Sequence, residues 1–291
     1  MLNSYVHQDI PYPLILNIMK KILFFVLAAA IIILSSCKKD TPSEIEDPKK
    51  SLIKIAEAFA IGSAAKVELW SKTELNTGYQ KLFIALSDSA SGKALSRSSV
   101  QILPMMDMNM NGRKMSHSAP LENPESMDAD NTLFPCAAVF TMPSTAESGK
   151  WKMIVMVKKE GQTKYGKAEM AIQVKQSQPE RVKIITAADG SKLIIAYISP
   201  SSPKVGVNDF EIAVFKKQDM MNFPAEDNYN ITMTPEMPSM GHGSPNNVNP
   251  TLTKNGHYKG KVNFTMTGDW RINLVLNKDG KTTSTFFDLL F

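Results

Sequence analysis

The chain has 291 residues, 43% of them hydrophobic, and its 33 lysines and arginines against 28 acidic residues leave a formal charge of only +5. So small an excess, scattered along the chain, argues against a nucleic-acid-binding surface or a basic membrane patch. Two cysteines exclude a framework of several disulfides, so the folded part must be held by apolar cores.

In chain order, Met19-Lys20-Lys21 leads into an apolar run over 22–34 and then Leu34-Ser35-Ser36-Cys37. Lysines, an apolar run and small residues before a cysteine form a secretory signal. The run is shorter than the roughly 20 residues needed to span a bilayer. Leu-Ser-Ser-Cys resembles the lipobox of bacterial lipoproteins. That resemblance implies cleavage before Cys37, lipidation of its thiol and anchoring to a membrane of the cell envelope on its extracytoplasmic side. Residues 1–18 stand ahead of a signal with its own methionine, so the expected order is an upstream segment, a signal over 19–36 and a lipidated tether over 37–50. The tether carries Pro42 and Pro48 among charges and has almost nothing to bury.

Beyond residue 50, short alternating or β-branched runs recur between Gly, Asn, Asp, Ser and Pro. They predict strands over 65–70, 80–86, 151–158, 210–216, 261–266 and 270–276, with turns at 88–92, 159–161 and 277–280. Residues 48–58 read as a strand or turn rather than a helix. Strands at this spacing argue for β-sandwiches. Signposts also repeat in order: Pro104, Met115-Ser116-His117, Phe140-Thr141-Met142 and Trp151, then Pro235, Met240-Gly241-His242, Phe264-Thr265-Met266 and Trp270. The expected fold is therefore all-β, with two tandem immunoglobulin-like β-sandwich domains over 51–177 and 178–291. Trp70, Trp151 and Trp270 are expected core anchors, and Cys136 a small buried hydrophobe.

Met237-Pro238-Ser239-Met240 and the cadence Gly256-His257-Tyr258, Phe264-Thr265-Met266-Thr267-Gly268-Asp269-Trp270 resemble the YtkA-like, FixH-like family of small exported β-sandwich domains. The first half matches it in outline, without the Gly-x-Tyr. The resemblance implies metal handling linked to cytochrome oxidase assembly, and with it a metal-accepting protein partner.

The chemistry-bearing residues are methionine and histidine. Of 18 methionines, Met105, Met106, Met108, Met110 and Met115 gather before His117, and Met233, Met237 and Met240 before His242. In an extended chain, residues two apart share a face, so Met115 projects with His117 and Met240 with His242. Thioether sulfur and imidazole suit copper, Cu(I) in preference to Cu(II). Calcium or magnesium would want oxygen ligands, and a structural zinc site more cysteine or histidine. The expected metal ligands are Met115, His117, Met240 and His242, supplemented by Met106, Met108 and Met237. Met153, Met156, Met170 and Met266 read as core, and His257 as a surface residue. No phosphate-binding Gly loop, nucleophile elbow or His-Glu-x-x-His is present, so an enzyme is not expected. The alternative to a copper chaperone or buffer is a non-catalytic binding or adhesion scaffold whose methionines form greasy contact loops.

Overall fold

Alternation of side chains sets the strands. In Ala65–Ser71, Ala65, Val67, Leu69 and Ser71 are buried while Lys66, Glu68 and Trp70 face outward. The computed structural model describes residues 47–110, 112–146 and 149–291. The expected signal, Cys37 and the tether as far as residue 46 lie outside the described residues. The first sandwich comprises β1 (Ile53–Ala60), β2 (Ala65–Ser71), β3 (Gly78–Asp88), β4 (Ser98–Met110), β5 (Arg113–Ser118), β6 (Leu121–Glu122), β7 (Leu133–Phe140), β8 (Lys150–Lys159) and β9 (Gly166–Ile172). The second comprises β10 (Val182–Thr186), β11 (Lys192–Ser199), β12 (Gly206–Lys216), β13 (Asn230–Met237), β14 (His242–Gly243), β15 (Val248–Lys254), β16 (His257–Phe264), β17 (Asp269–Lys278) and β18 (Lys281–Leu290).

Sheet order β1-β2-β3-β7-β6 packs on β5-β4-β8-β9, and β10-β11-β12-β16-β15 packs on β14-β13-β17-β18. Adding nine to each label of the first pair gives the second, so the two sandwiches share one topology. All named pairings are antiparallel.

The two five-stranded sheets meet through their outer faces. Alternate residues serve two cores: Leu193, Ile195 and Tyr197 face into the second sandwich, while Ile194 and Ala196 pack with Val139, Val182, Ala213 and Phe215 between the sandwiches. Burial on both faces explains why Leu193-Ile194-Ile195-Ala196 and Ala137-Ala138-Val139-Phe140 read as continuous apolar runs rather than alternating ones.

Beside this apolar contact lies a charged one. His257 is half-buried and doubly partnered: its Nε2 is 2.6 Å from Glu122 of the first sandwich and its Nδ1 is 2.7 Å from Glu211 of the second. Two carboxylates facing the two ring nitrogens require both to carry protons, so the ring is imidazolium. Tyr79 donates to the other Glu122 oxygen at 2.9 Å and meets the imidazole edge-on, and Lys259 lies 3.5 Å from Glu211. Burial opposes the charge on His257, yet the bonds and charges of Glu122 and Glu211 outweigh it and raise its pKa to about 9. The surface role expected for His257 is thus corrected. The residue spans the sandwich interface, and its partner Glu122 sits too far along the chain for local pattern to show.

A two-residue turn delivers His257 there. Asn255 and Gly256 connect β15 to β16 with φ of 51° and 76°, the backbone of a type I′ hairpin. A Cβ on Gly256 would lie 2.4 Å from the Val214 carbonyl oxygen. Gly256→Ala is therefore expected to cost about 1–3 kcal/mol, read as a lowered urea midpoint.

Candidate metal centres

In the first sandwich the candidate ligands form a cross-strand group on one sheet face. Met106 stands opposite His117 and Met108 opposite Met115 across β4 and β5, and Met106 also stands opposite Trp151 on β8. Directly opposed residues have Cβ atoms about 5 Å apart. Met106 is fully buried in the core, while Met115 is 40% exposed at the open end of the row. The His117 ring meets Trp151 edge-on with centroids 5.5 Å apart. Its Nδ1 is 2.7 Å from the Ser118 carbonyl oxygen. A carbonyl can only accept, so Nδ1 carries a proton, and in the neutral ring Nε2 would present the lone pair. The Met115-Ser116-His117 segment belongs to strand β5, where pairing with β4 holds it.

The second sandwich repeats the row. Met237 stands opposite His242 across β13 and β14, and the register of Glu236 with Arg271 carries Met237 one step on, opposite Trp270. His242 meets Trp270 edge-on at 6.0 Å. Met237 is buried, and its methyl lies so near Gly268 that a Cβ there would be 2.2 Å away. The His242 Nδ1 is buried and has no hydrogen-bond partner among the described residues. That is a costly state for an imidazole nitrogen unless a ligand engages it.

Met240 departs from expectation. The amides of Met240 and Gly241 both donate to the Met237 carbonyl, at 3.1 and 2.9 Å, and Gly241 has φ of +64°. The chain is a tight turn there, not extended, so the alternation that was to align Met240 with His242 does not operate. Met240 is 60% exposed.

The surroundings are also matched. Trp151 Nε1 donates to the Met142 carbonyl at 2.9 Å and Trp270 Nε1 to the Met266 carbonyl at 3.0 Å. Phe140 and Phe264 pack on the respective indoles. Asn123 accepts from the Ile102 amide at 2.7 Å and Asn249 from the Met233 amide at 2.9 Å. The equivalent residues are therefore Met106 with Met237, His117 with His242 and Trp151 with Trp270. The copies differ in the partner of the histidine Nδ1, bonded to Ser118 in the first and unpartnered among the described residues in the second, and in two further ways. The first has the additional Met108 and Met115 pair, and the Ser118 amide donates at 2.8 Å to the carbonyl of Met220, on a loop of the second sandwich. Pattern reasoning missed Met220, because no first-half counterpart flags it, and it missed the tryptophans as supports of the histidines.

One imidazole and one to three thioethers in each row form a soft donor set that fits copper better than a hard cation. Among the described residues no three His, Cys, Asp or Glu side chains gather where a metal ion could be held. Elsewhere, Met153 and Met170 are core, but Met156 is only half-buried and Met266 is exposed, because β16 ends at Phe264 and Met266 lies in the bend that follows. Trp151 and Trp270 anchor the cores. Trp70 does not: on the outward register of β2, it donates to Glu68 at 3.1 Å beneath the Lys49 ammonium. Cys136 is buried on β7, and burial pushes its thiol pKa well up.

Comparison with known proteins places a YtkA-like family match at residues 188–275, in the second sandwich. No curated protein matches the chain. Among solved structures, "pT26-6p" is 7% identical with a TM-score of 0.25, over 81% of this chain and 64% of that one, so this chain spans less than two thirds of it. "Titin Ig tandem domains A164-A165" is 11% identical with a TM-score of 0.18, over 81% of this chain and 94% of that one. Both scores are too low to carry an argument.

Proposed function

We propose, from a second sandwich whose residues 188–275 match the YtkA-like model, that the chain is a non-catalytic, lipid-anchored protein of the cell envelope that binds copper at one histidine–methionine row in each sandwich. It buffers the metal or passes it to an acceptor protein, with Cu(I) preferred over Cu(II). The lipid on Cys37 and the extracytoplasmic location rest on the lipobox resemblance alone. The observation that carries the metal reading is the His242 Nδ1, buried and unpartnered beside Met237, at the position where the first sandwich pairs His117 with Met106. In this reading Met106, His117, Met237 and His242 are the inner donors, and Met108, Met115 and Met240 are outer ones. The exposed thioethers of Met115 and Met240 are then the atoms an incoming acceptor meets first, since methionine makes adaptable contact surfaces.

Titrating the purified chain with Cu(I) against a competing chelator tests this. Two ions are expected per chain, one lost in His242→Ala and both lost in the His117→Ala, His242→Ala double variant. Met106→Leu and Met237→Leu keep the core volume and remove only sulfur. Each is expected to weaken its site by about tenfold or more. Binding no tighter than background, or unchanged in the double histidine variant, would end the proposal and leave the contact-scaffold reading.

A further inference from the structure

Where the first sandwich hands over to the second, a pocket of about 400 Å³ is lined by residues 71–73, 76, 77 and 79–81 of the first, by Ser177, Gln178 and Arg181 of the connection, and by Tyr197, Ile198 and Ser201 of the second. Three cations line it, Lys72, Lys81 and Arg181, and no Asp or Glu does. None of the three makes a salt bridge among the described residues, whereas Glu74 on the same loop is already paired with Lys175. The Arg181 Nη1 is buried and has no hydrogen-bond partner among the described residues. A guanidinium nitrogen withdrawn from water without an acceptor is unfavourable unless an anion meets it.

Arg181 is also fixed in place. Its amide donates to Ser177 Oγ at 3.2 Å, and Ser177 is in turn bonded to Thr77 at 2.9 Å. Its carbonyl accepts from the Tyr197 amide at 2.9 Å, and its guanidinium lies over the Tyr197 ring, 4.5 Å from the centroid. Its Cβ sits against Gly78, where an added Cβ would be 2.8 Å away. Thr73, Gln80 and Ser201 add neutral hydrogen-bonding groups to the wall. A held planar fork, two ammonium groups outside any salt bridge among the described residues and no carboxylate on the wall together make a receptor for a doubly charged oxyanion. Guanidinium forks match phosphate geometry, and three formal positive charges balance a dianion better than a single carboxylate.

We propose that this junction pocket binds a phosphate group, free or as the terminal group of a larger phosphate monoester, independently of any metal bound at the histidine–methionine rows. Isothermal titration of the full chain with inorganic phosphate, at constant ionic strength maintained with chloride, tests it. Saturable binding is expected with a dissociation constant below about 1 mM, insensitive to the His117→Ala, His242→Ala change. Arg181→Gln is expected to weaken it at least tenfold, and Arg181→Lys, which keeps charge but loses the fork, less. If Arg181→Gln fails to fold by circular dichroism, the Lys72→Gln, Lys81→Gln pair carries the test, because both lie on the pocket wall and neither forms a salt bridge among the described residues, Lys81 having only the Phe83 ring 5.8 Å from its ammonium. Parallel titrations with glycerol phosphate and with vesicles containing phosphatidic acid separate a soluble ligand from a lipid headgroup. Heat indistinguishable from that of added chloride, or phosphate binding unchanged in all of these variants, would overturn the proposal.

Discussion

Trp270→Ala is expected to lower folding stability by about 3–5 kcal/mol, a fall in Tm of roughly 10 °C for a chain of this size. The indole is 1% exposed. It packs on Phe264 with centroids 5.2 Å apart and carries the edge of His242 at 6.0 Å. Its Nε1 closes the bend after β16 by donating to the Met266 carbonyl at 3.0 Å. Truncation therefore opens a cavity, releases the bend and removes the floor under the candidate ligand in one step. Trp270→Phe separates these effects. It fills most of the volume but loses the N–H and part of the bicycle, so about 1–2 kcal/mol is expected. Thermal melts followed by near-ultraviolet circular dichroism provide the measurement. A Trp270→Ala chain that melts within about 2 °C of the parent would show that the indole does not organise the second core. Trp151→Ala should behave alike, because Phe140, His117 and the Met142 carbonyl surround it in the same arrangement.

The second large effect is one of pH. His257 is raised from 6.5 to about 9, so its bonds to Glu122 and Glu211 contribute fully below about pH 6.5 and are lost as pH rises through about 9. Glu211 is shifted the other way: burial opposes ionisation, but His257 and Lys259 outweigh it and lower its pKa below the ordinary 4.5. Its contribution is present above that ordinary value and lost as pH falls through the lowered one. The clamp is strongest between these limits. His257→Gln, which cannot take a charge, is expected to cost about 2 kcal/mol near pH 6, a difference in Tm of several degrees. The difference should shrink steadily toward pH 10. A gap between parent and variant that stays constant from pH 6 to 10 would mean the imidazolium does not hold the interface.

What could be read from residues alone follows from how local the cause is. The expected strand 270–276, within β17, declared itself through alternation, because one face of its sheet meets a core, whereas 210–216 in β12 is buried on both faces and read as an apolar run. The histidine–methionine rows were half legible. The residue types and their repetition pointed to His117 and His242, but spacing along the chain chose Met115 and Met240, whereas the hairpin registers put Met106 and Met237 opposite them. A hairpin register depends on where the turn falls, and the turn at residues 238–241 folds back on the Met237 carbonyl rather than continuing extended. The role of His257 was not legible at all, since one of its two carboxylates comes from the other sandwich. Trp70 misled for a simpler reason. Size suggests burial, but parity along β2 puts it on the same side as Lys66 and Glu68.

The double use of β11 and β12 has a consequence for how the chain can be handled. Residues 173–181 look like a convenient place to cut, but a second half released there would present Val182, Ile194, Ala196, Ala213 and Phe215 to water as one sticky wall. The halves are therefore expected to melt together rather than behave as interchangeable modules, and a fragment made from either should aggregate before it reports on anything.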